Sequence, residues 1–404
     1  MKVLIYMSGG FDTYGPSRHL YNALIEDLLL GGHTVHLIES HSSGTDPDAP
    51  ENLLAFEKFS YETVTTQVVE KKAFVKRYLT GVRYCFDSIP VLKRQHGFDV
   101  MMVQSCPWAP FAVSFAKRYV KIPTIWNIQD MFPGASIANG VMRQKWMQRF
   151  FYRFHKIAYK KADHISVISE DMKRKVMAQG VAAEKITVIP DWYDDQSVRE
   201  IPWEENRFVQ KYDMQRDIFY VQYAGTMGFN FDYRMVVKVA KLLQGEKNIV
   251  FQMIGFGSQK ADFEAAVKEE KLDNVVFLPL EPQEMVPHVY SACSVCLIPL
   301  PYGVIGNSVP SKAGLLMACR RVIVTSADPD SEYNEMFGRE QIGVACGCDD
   351  PKAVADAIVA LRDNPELREA YAENAYRYGT SHYSRAMNTA LYEKLYRDMA
   401  KESC

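Results

Sequence analysis

The chain has 404 residues, with 47 Lys and Arg against 49 Asp and Glu, and so a formal net charge of −2. That length exceeds what one hydrophobic core normally supports and predicts two domains of about 200 residues each. A composition 48% hydrophobic and 24% charged excludes a disordered or fibrous chain, and the near-neutral charge gives no general case for a nucleic-acid partner.

No stretch of about 18 uninterrupted apolar residues predicts a membrane-spanning helix. Residues 1–7 are too short for a signal peptide and read as a first buried strand. The eight cysteines are scattered, which suits a reducing compartment. Cys293 and Cys296 form a CxxC, and Cys346 and Cys348 a CxC. A metal site would require the two pairs to converge, but each lies in or beside an apolar strand-like run where buried free thiols are common, so no metal is expected.

Short apolar runs alternate with longer amphipathic stretches, the pattern of a parallel sheet with crossover helices. Strands are predicted at 2–7, 34–38, 99–104, 124–128, 164–168 and 186–189, with a helix over 17–30 stopped by Gly31 and Gly32 and a Pro/Asp-rich loop at 44–52. The pattern restarts with strands at 219–224, 249–254, 274–277, 295–298, 322–325 and 343–346 and helices over 233–244 and 351–364. The predicted organisation is an α/β chain of two Rossmann-like doubly wound domains facing across a cleft, at 1–193 and 217–379. A linker at 194–216 joins them, and a terminal segment at 380–404 has its helix (384–399) crossing back to the first domain.

Gly225-Thr226-Met227-Gly228 follows a strand and precedes a helix, so its backbone can approach an anion and aim amides at it. Gly255-Phe256-Gly257-Ser258 repeats the turn after the next strand. The first domain offers Ser8-Gly9-Gly10 and Gly15-Pro16-Ser17, which do not form GxGxxG. Glu39 is the nearest acid for a dinucleotide ribose, a weak case for a nicotinamide cofactor. Asn127-Ile128-Gln129-Asp130-Met131-Phe132-Pro133 places polar groups at a strand end, and Asn307-Ser308-Val309-Pro310-Ser311-Lys312 leads into a helix, so its amides and Lys312 can meet a phosphate or a sugar. Asp130 also suits a helix cap and Lys312 a solvated side chain.

In order and spacing, these segments resemble the retaining glycosyltransferases of family 4, which have the GT-B fold. The resemblance rests on Tyr223-Ala224-Gly225-Thr226-Met227-Gly228, Val188-Ile189-Pro190, Val309-Pro310-Ser311-Lys312 with Met317-Ala318, Ala162-Asp163 and Val167-Ile168-Ser169, and covers nearly the whole chain. It is strongest to bacterial enzymes of capsule, O-antigen and colanic-acid-type polysaccharides. It implies transfer from a nucleoside diphosphate sugar with retained configuration, no cofactor and no obligatory metal. Gly225, Thr226, Gly228, Gly255, Asn307, Ser308 and Ser311 would hold the donor, and Gly9, Gly10, Ser17 and His19 would face the cleft and acceptor. Asp130, Lys312 and Arg234 would serve the chemistry.

The chain departs from the family at its paired glutamates, eight positions apart, which fall on Asn307 and Leu315. Glu332 with Glu340 and Glu62 with Glu70 have the spacing but lie elsewhere. Residues 229–233 also lack the basic residue common after the glycine loop, a role left to Arg234 or Lys312.

Residues 143–161 carry seven basic residues and no acid, with Trp146, Phe150, Phe154 and Ile157 at helical spacing, and 71–94 is similarly basic. Such helices suit an anionic bilayer surface, and also suit ordinary docking on a sheet with a solvated edge. The expected setting is cytoplasmic, peripheral on the inner face of a bacterial membrane, with a polyprenyl-diphosphate-linked saccharide as acceptor. Two other readings use the same fold: a sugar-nucleotide epimerase, for which no converging carboxylates are found, and a non-catalytic nucleotide-sugar-binding or partner subunit, motivated by Asn307 and Leu315.

Overall fold

The computed structural model describes residues 1–10, 17–43, 49–69, 73–138 and 140–401. Gly15 and Pro16 of the second first-domain turn, 44–48 of the Pro/Asp-rich loop, and Glu70, Lys71 and Lys72 lie outside the described residues. The chain divides into two units, Met1–Asp191 with Asn388–Cys404, and Trp192–Met387.

The first unit is built on seven parallel strands: β1 (Lys2–Tyr6), β2 (Thr34–Ser42), β3 (Phe59–Thr66), β4 (Val100–Gln104), β5 (Thr124–Ile128), β6 (His164–Val167) and β7 (Ile186–Val188). Their order is β3-β2-β1-β4-β5-β6-β7. Central strands are covered on both faces, which is why they read as continuous apolar runs; Val100 to Val103 have no exposed surface. β3 is missing from the sequence expectations. It is an edge strand of sequence FSYETVTT with a single buried residue, Val64, so it carries too little hydrophobic signal.

The second unit holds six parallel strands: β8 (Phe219–Thr226), β9 (Ile249–Phe256), β10 (Val275–Leu278), β11 (Val295–Pro299), β12 (Val322–Ala327) and β13 (Gly343–Gly347), in the order β10-β9-β8-β11-β12-β13. In both units the chain steps from the first strand to one side and later returns to its other side. That switch point opens a crevice beyond the strands' carboxyl ends, β1 beside β4 and β8 beside β11.

The stretch expected as a linker, 194–216, is structured and groups with the second unit. It carries the helix Arg207–Lys211, whose cap Asn206 accepts hydrogen bonds from the Phe208 and Val209 amides, and Phe208 is fully buried. A five-residue helix is too short to show a periodicity. At the other end, the helix Arg385–Lys401 belongs to the first unit from Asn388 onward. There Tyr392 accepts a hydrogen bond from Asn127 at 2.6 Å and Glu393 pairs with His33 at 2.9 Å.

Candidate active site

The glycine loop of the second unit is set by strand register. β8 and β9 remain paired through Gly225 opposite Gly255 and Thr226 opposite Phe256. Gly225 has φ +146° and Gly255 φ +135°, and a Cβ on Gly255 would lie 2.0 Å from the Gly225 carbonyl oxygen. Only glycine lets the two turns approach so closely. Gly228 is different: its added Cβ would meet Thr226 Cγ2 at an ordinary 3.6 Å, so its backbone does not demand glycine. The Tyr223 hydroxyl donates to the Thr226 carbonyl at 2.7 Å, Lys260 Nζ donates to the Gly255 carbonyl at 3.1 Å, and the Gln259 amide donates to the Gly228 carbonyl. Thr226 itself is exposed.

Lys312, first residue of the helix Lys312–Ala318, reaches this loop. Its Nζ donates to the Ala224 carbonyl at 3.1 Å, lies 3.5 Å from the centroid of the Tyr223 ring, and would be 2.9 Å from a Cβ on Gly225. No carboxylate pairs with it among the described residues. Burial pushes its ammonium down to about 7, with the Cys296 thiol opposing. A cation resting on a carbonyl and an aromatic face, at the mouth of a glycine loop and without a counter-charge, is prepared for an anion.

The segment before Lys312 is held by Asp328, just past β12, whose carboxylate accepts from the Gly303 amide at 2.7 Å and the Ile305 amide at 3.1 Å. Asn307 donates from Nδ2 to the Gly303 carbonyl at 2.7 Å, and the Ser308 amide to the Val304 carbonyl at 3.0 Å, so these two residues brace their own turn. Ser311 is exposed. Leu315 is half-buried and packs against the apolar core of the second unit. Arg234 is exposed, with its guanidinium 4.7 Å from the ring of its neighbour Tyr233. Glu332 and Glu340 both pair with Arg339, and Glu62 pairs with Arg94, so these three glutamates serve ion pairs; Glu70 lies outside the described residues.

In the first unit the carboxyl ends of the strands gather a polar group. The Ser8 amide donates to Gln104 Oε1 at 3.0 Å and the Gly9 amide to Ser40 Oγ at 2.8 Å; Gly9 has φ +121°, and Gly10 is buried. Glu39 is buried and pairs with Arg18 at 2.6 Å, which also donates to the Gly9 carbonyl, so its carboxylate is committed to the loop rather than offered to a ribose. Ser17 is half-buried at the start of the helix Arg18–Leu30 and His19 is exposed on it.

Asp130, two residues past β5, is exposed, and its carbonyl accepts from Ser105 Oγ at 3.1 Å. Asp191, just past β7, accepts from Gln129 Nε2 at 3.1 Å. Burial first, and then the Asp130 charge, pushes the Asp191 carboxyl up to about 7. Beneath them, Asn127 accepts from the Tyr21 hydroxyl at 2.5 Å and donates to Ser166 Oγ at 3.1 Å.

Sequence reasoning missed Lys260, Asp328 and Asp191, and took Tyr223 only as part of the glycine-loop motif, without a role. Lys260 could have been found as the cation after the second glycine turn; Tyr223 and Asp328 act through contacts that only folding creates.

Among the described residues no group of three or more His, Cys, Asp or Glu is placed to hold a metal ion. Cys293 and Cys296 are buried with their sulfurs 3.2 Å apart, a thiol–thiol contact inside the second unit's core.

The chain belongs to the glycosyltransferases: residues 15–192 match the Glycosyl transferase 4-like domain and residues 204–378 match Glycosyl transferases group 1. It is 23% identical to the putative colanic acid biosynthesis glycosyl transferase WcaI of Escherichia coli over 90% of this chain and 91% of that one. It is 24% identical to the probable glycosyltransferase WbjE of Pseudomonas aeruginosa over 57% of this chain and 58% of that relative. The structure of Anabaena HepE in complex with UDP and glucose is similar with a TM-score of 0.70 at 14% identity, covering 98% and 99% of the two chains. The fold is GT-B, two parallel α/β units.

Proposed function

We propose that this chain transfers a sugar from a nucleoside diphosphate sugar, with retention of anomeric configuration, to a lipid-linked saccharide in the synthesis of a bacterial surface polysaccharide. The observation that carries this reading is Lys312, an ammonium without a paired carboxylate on the glycine loop. In the reaction the bond from the anomeric carbon to the diphosphate breaks, and negative charge develops on the departing phosphate oxygen. Lys312 would take up that charge at the glycine loop, work that a metal ion performs in other transferases, so no obligatory metal is proposed. Asp130 and the half-buried Asp191 are the carboxyl groups proposed to meet acceptor or sugar hydroxyls. HepE, whose structure contains UDP and glucose, supports the donor class, and WcaI supports the polysaccharide setting.

The test is to incubate the full chain with a panel of nucleoside diphosphate sugars and membrane extract, with and without EDTA. Donor-dependent product whose anomeric proton coupling matches the donor's supports the reading; no donor binding by calorimetry across the panel sinks it.

Peripheral attachment to an anionic membrane is part of the proposal. No helix among the described residues is long and apolar enough to cross a membrane. In the first unit, however, the helices Phe74–Asp87 and Lys145–Lys161 pack on each other through Tyr78 and Phe151, whose ring centroids are 5.1 Å apart. Both leave large apolar side chains exposed: Val75, Leu79 and Phe86 on one, Trp146, Phe150 and Ile157 on the other. Exposed cations such as Arg77, Arg149, Arg153 and Lys156 flank them. That pairing suits the headgroup boundary of an anionic bilayer. A Trp146→Ser, Phe150→Ser double variant should sediment at least about tenfold less with phosphatidylglycerol vesicles, the loss of roughly 1.5–3 kcal/mol expected for each buried side chain. Undiminished sedimentation would remove membrane attachment from the proposal and leave the transfer reaction standing.

A further inference from the structure

The second unit has a cavity at the amino ends of its central strands, opposite the glycine loop. Its floor is Ile218 just ahead of β8, Ser294 just ahead of β11, and Val322, the first residue of β12, and its volume is about 300 Å³. The glycine loop lies beyond the other ends of these strands. β11 alone spans five residues, about 16 Å at roughly 3.3 Å per residue, so one small ligand cannot fill both places.

Four arginines line this cavity, Arg216, Arg320, Arg321 and Arg368, against two carboxylates, Glu200 and Glu369. Both carboxylates are engaged, Glu200 by Arg320 and Arg321, and Glu369 by Arg320. Arg216 pairs with Glu204 at the exposed rim and lies over the Trp203 ring at 5.5 Å. Arg320 holds its ion pairs from a left-handed backbone, φ +52°, a conformation that costs a non-glycine residue about 1 kcal/mol.

Arg368 is the exception. It is half-buried, and no carboxylate pairs with it among the described residues. It donates one hydrogen bond to the Leu361 carbonyl at 2.7 Å and lies 5.4 Å from the Phe219 ring centroid, leaving most of its five donors for another partner. It also sits in the first turn of the helix Pro365–His382, the positive end of the helix dipole. Burial is the main cause that holds this guanidinium below its ordinary range; the Glu369 charge opposes the shift and the Arg321 charge adds to it.

We propose that this cavity is a second anion site, distinct from the donor loop, that takes a small phosphate-bearing molecule, with Arg368 as its anchor and Arg321 and Arg216 beside it. A guanidinium fork matches a phosphoryl group in two-bond geometry. The volume lies at the lower end of small-molecule sites, so the ligand is a diphosphate or a phosphate ester rather than a polymer.

The test is calorimetric titration of the full chain with inorganic pyrophosphate and, separately, with glucose 6-phosphate. Wild type and Lys312→Met should both bind one of these probes, and Arg368→Met should weaken that binding at least about tenfold, the worth of one charged hydrogen-bond pair. The tighter probe identifies the ligand class. Should Arg368→Met not fold, as its thermal unfolding will show, Arg216→Gln at the exposed rim should weaken the same binding about threefold. The proposal is overturned if neither probe binds, if Lys312→Met abolishes all binding, or if the foldable arginine variant titrates like wild type.

Discussion

Replacing Lys312 by methionine keeps most of the side-chain volume and removes the cation. In the structure that ammonium lies 3.1 Å from the Ala224 carbonyl and 3.5 Å from the Tyr223 ring centroid, so a diphosphate resting on Gly225 comes within about 4 Å of it. At the effective dielectric of a partly buried site, about 20, such a pair is worth about 4 kcal/mol, and charged hydrogen bonds measured by substitution give about 1.5–3 kcal/mol. The expected fall in kcat/KM is therefore between about 10-fold and 1000-fold.

The proton equilibrium gives a second readout. Lys312 loses its proton near pH 7, far below an ordinary lysine, so the charged form that attracts the donor is complete at pH 6 and declines as pH rises. Since kcat/KM reports the free enzyme, it should fall about tenfold between pH 6 and pH 8 and further by pH 9. Lys312→Arg stays charged across that range and should give a flat upper limb, whatever its absolute rate. A steady-state assay from pH 6 to 9 on wild type and both variants decides the matter. A flat wild-type profile, a Lys312→Met loss under threefold, or an unchanged limb in Lys312→Arg would refute the reasoning.

Three further expectations follow from the geometry. Gly255→Ala drives a methyl group into the Gly225 carbonyl at 2.0 Å and strains its own backbone, so it should weaken calorimetric binding of nucleoside diphosphate by at least about 2 kcal/mol, whereas Gly228→Ala should stay within about threefold of wild type. Asp328→Ala strips two backbone amides of their carboxylate, about 1.5–3 kcal/mol each, and hydrogen exchange at Gly303 and Ile305 should accelerate while the strands keep their protection. His155 is buried against Trp126 and burial holds it near pH 4, so its stabilising contribution is complete above about pH 6.5 and is lost as pH falls toward 4. Urea unfolding at pH 5 should show about 2 kcal/mol less stability than at pH 7, a difference that His155→Leu should reduce.

Apolar runs of strand length are legible without neighbours because a parallel strand is buried on both faces, so most of the thirteen strands among the described residues were readable and the edge strand β3 was not. The glycine turns were readable because a positive φ restricts the residue type. Their roles separated only in three dimensions: Gly255 is required by the Gly225 backbone opposite it, while Gly228 has room to spare. Lys312 could be named from its place before a helix. That it rests on Tyr223 and on Ala224, 88 residues earlier, and is thereby partly stripped of its charge, depends on the carboxyl end of β8 meeting the helix Lys312–Ala318. Leu315 shows the same division: the sequence marks it as a departure from a glutamate, and packing shows a half-buried side chain resting against the second unit's core. Sequence by itself determined which segments are buried and which turns need glycine, because burial and backbone strain act locally. Tertiary structure decided which charges are neutralised and which are left for a ligand, because a counter-charge is supplied by whatever part of the chain folding brings within a few ångströms.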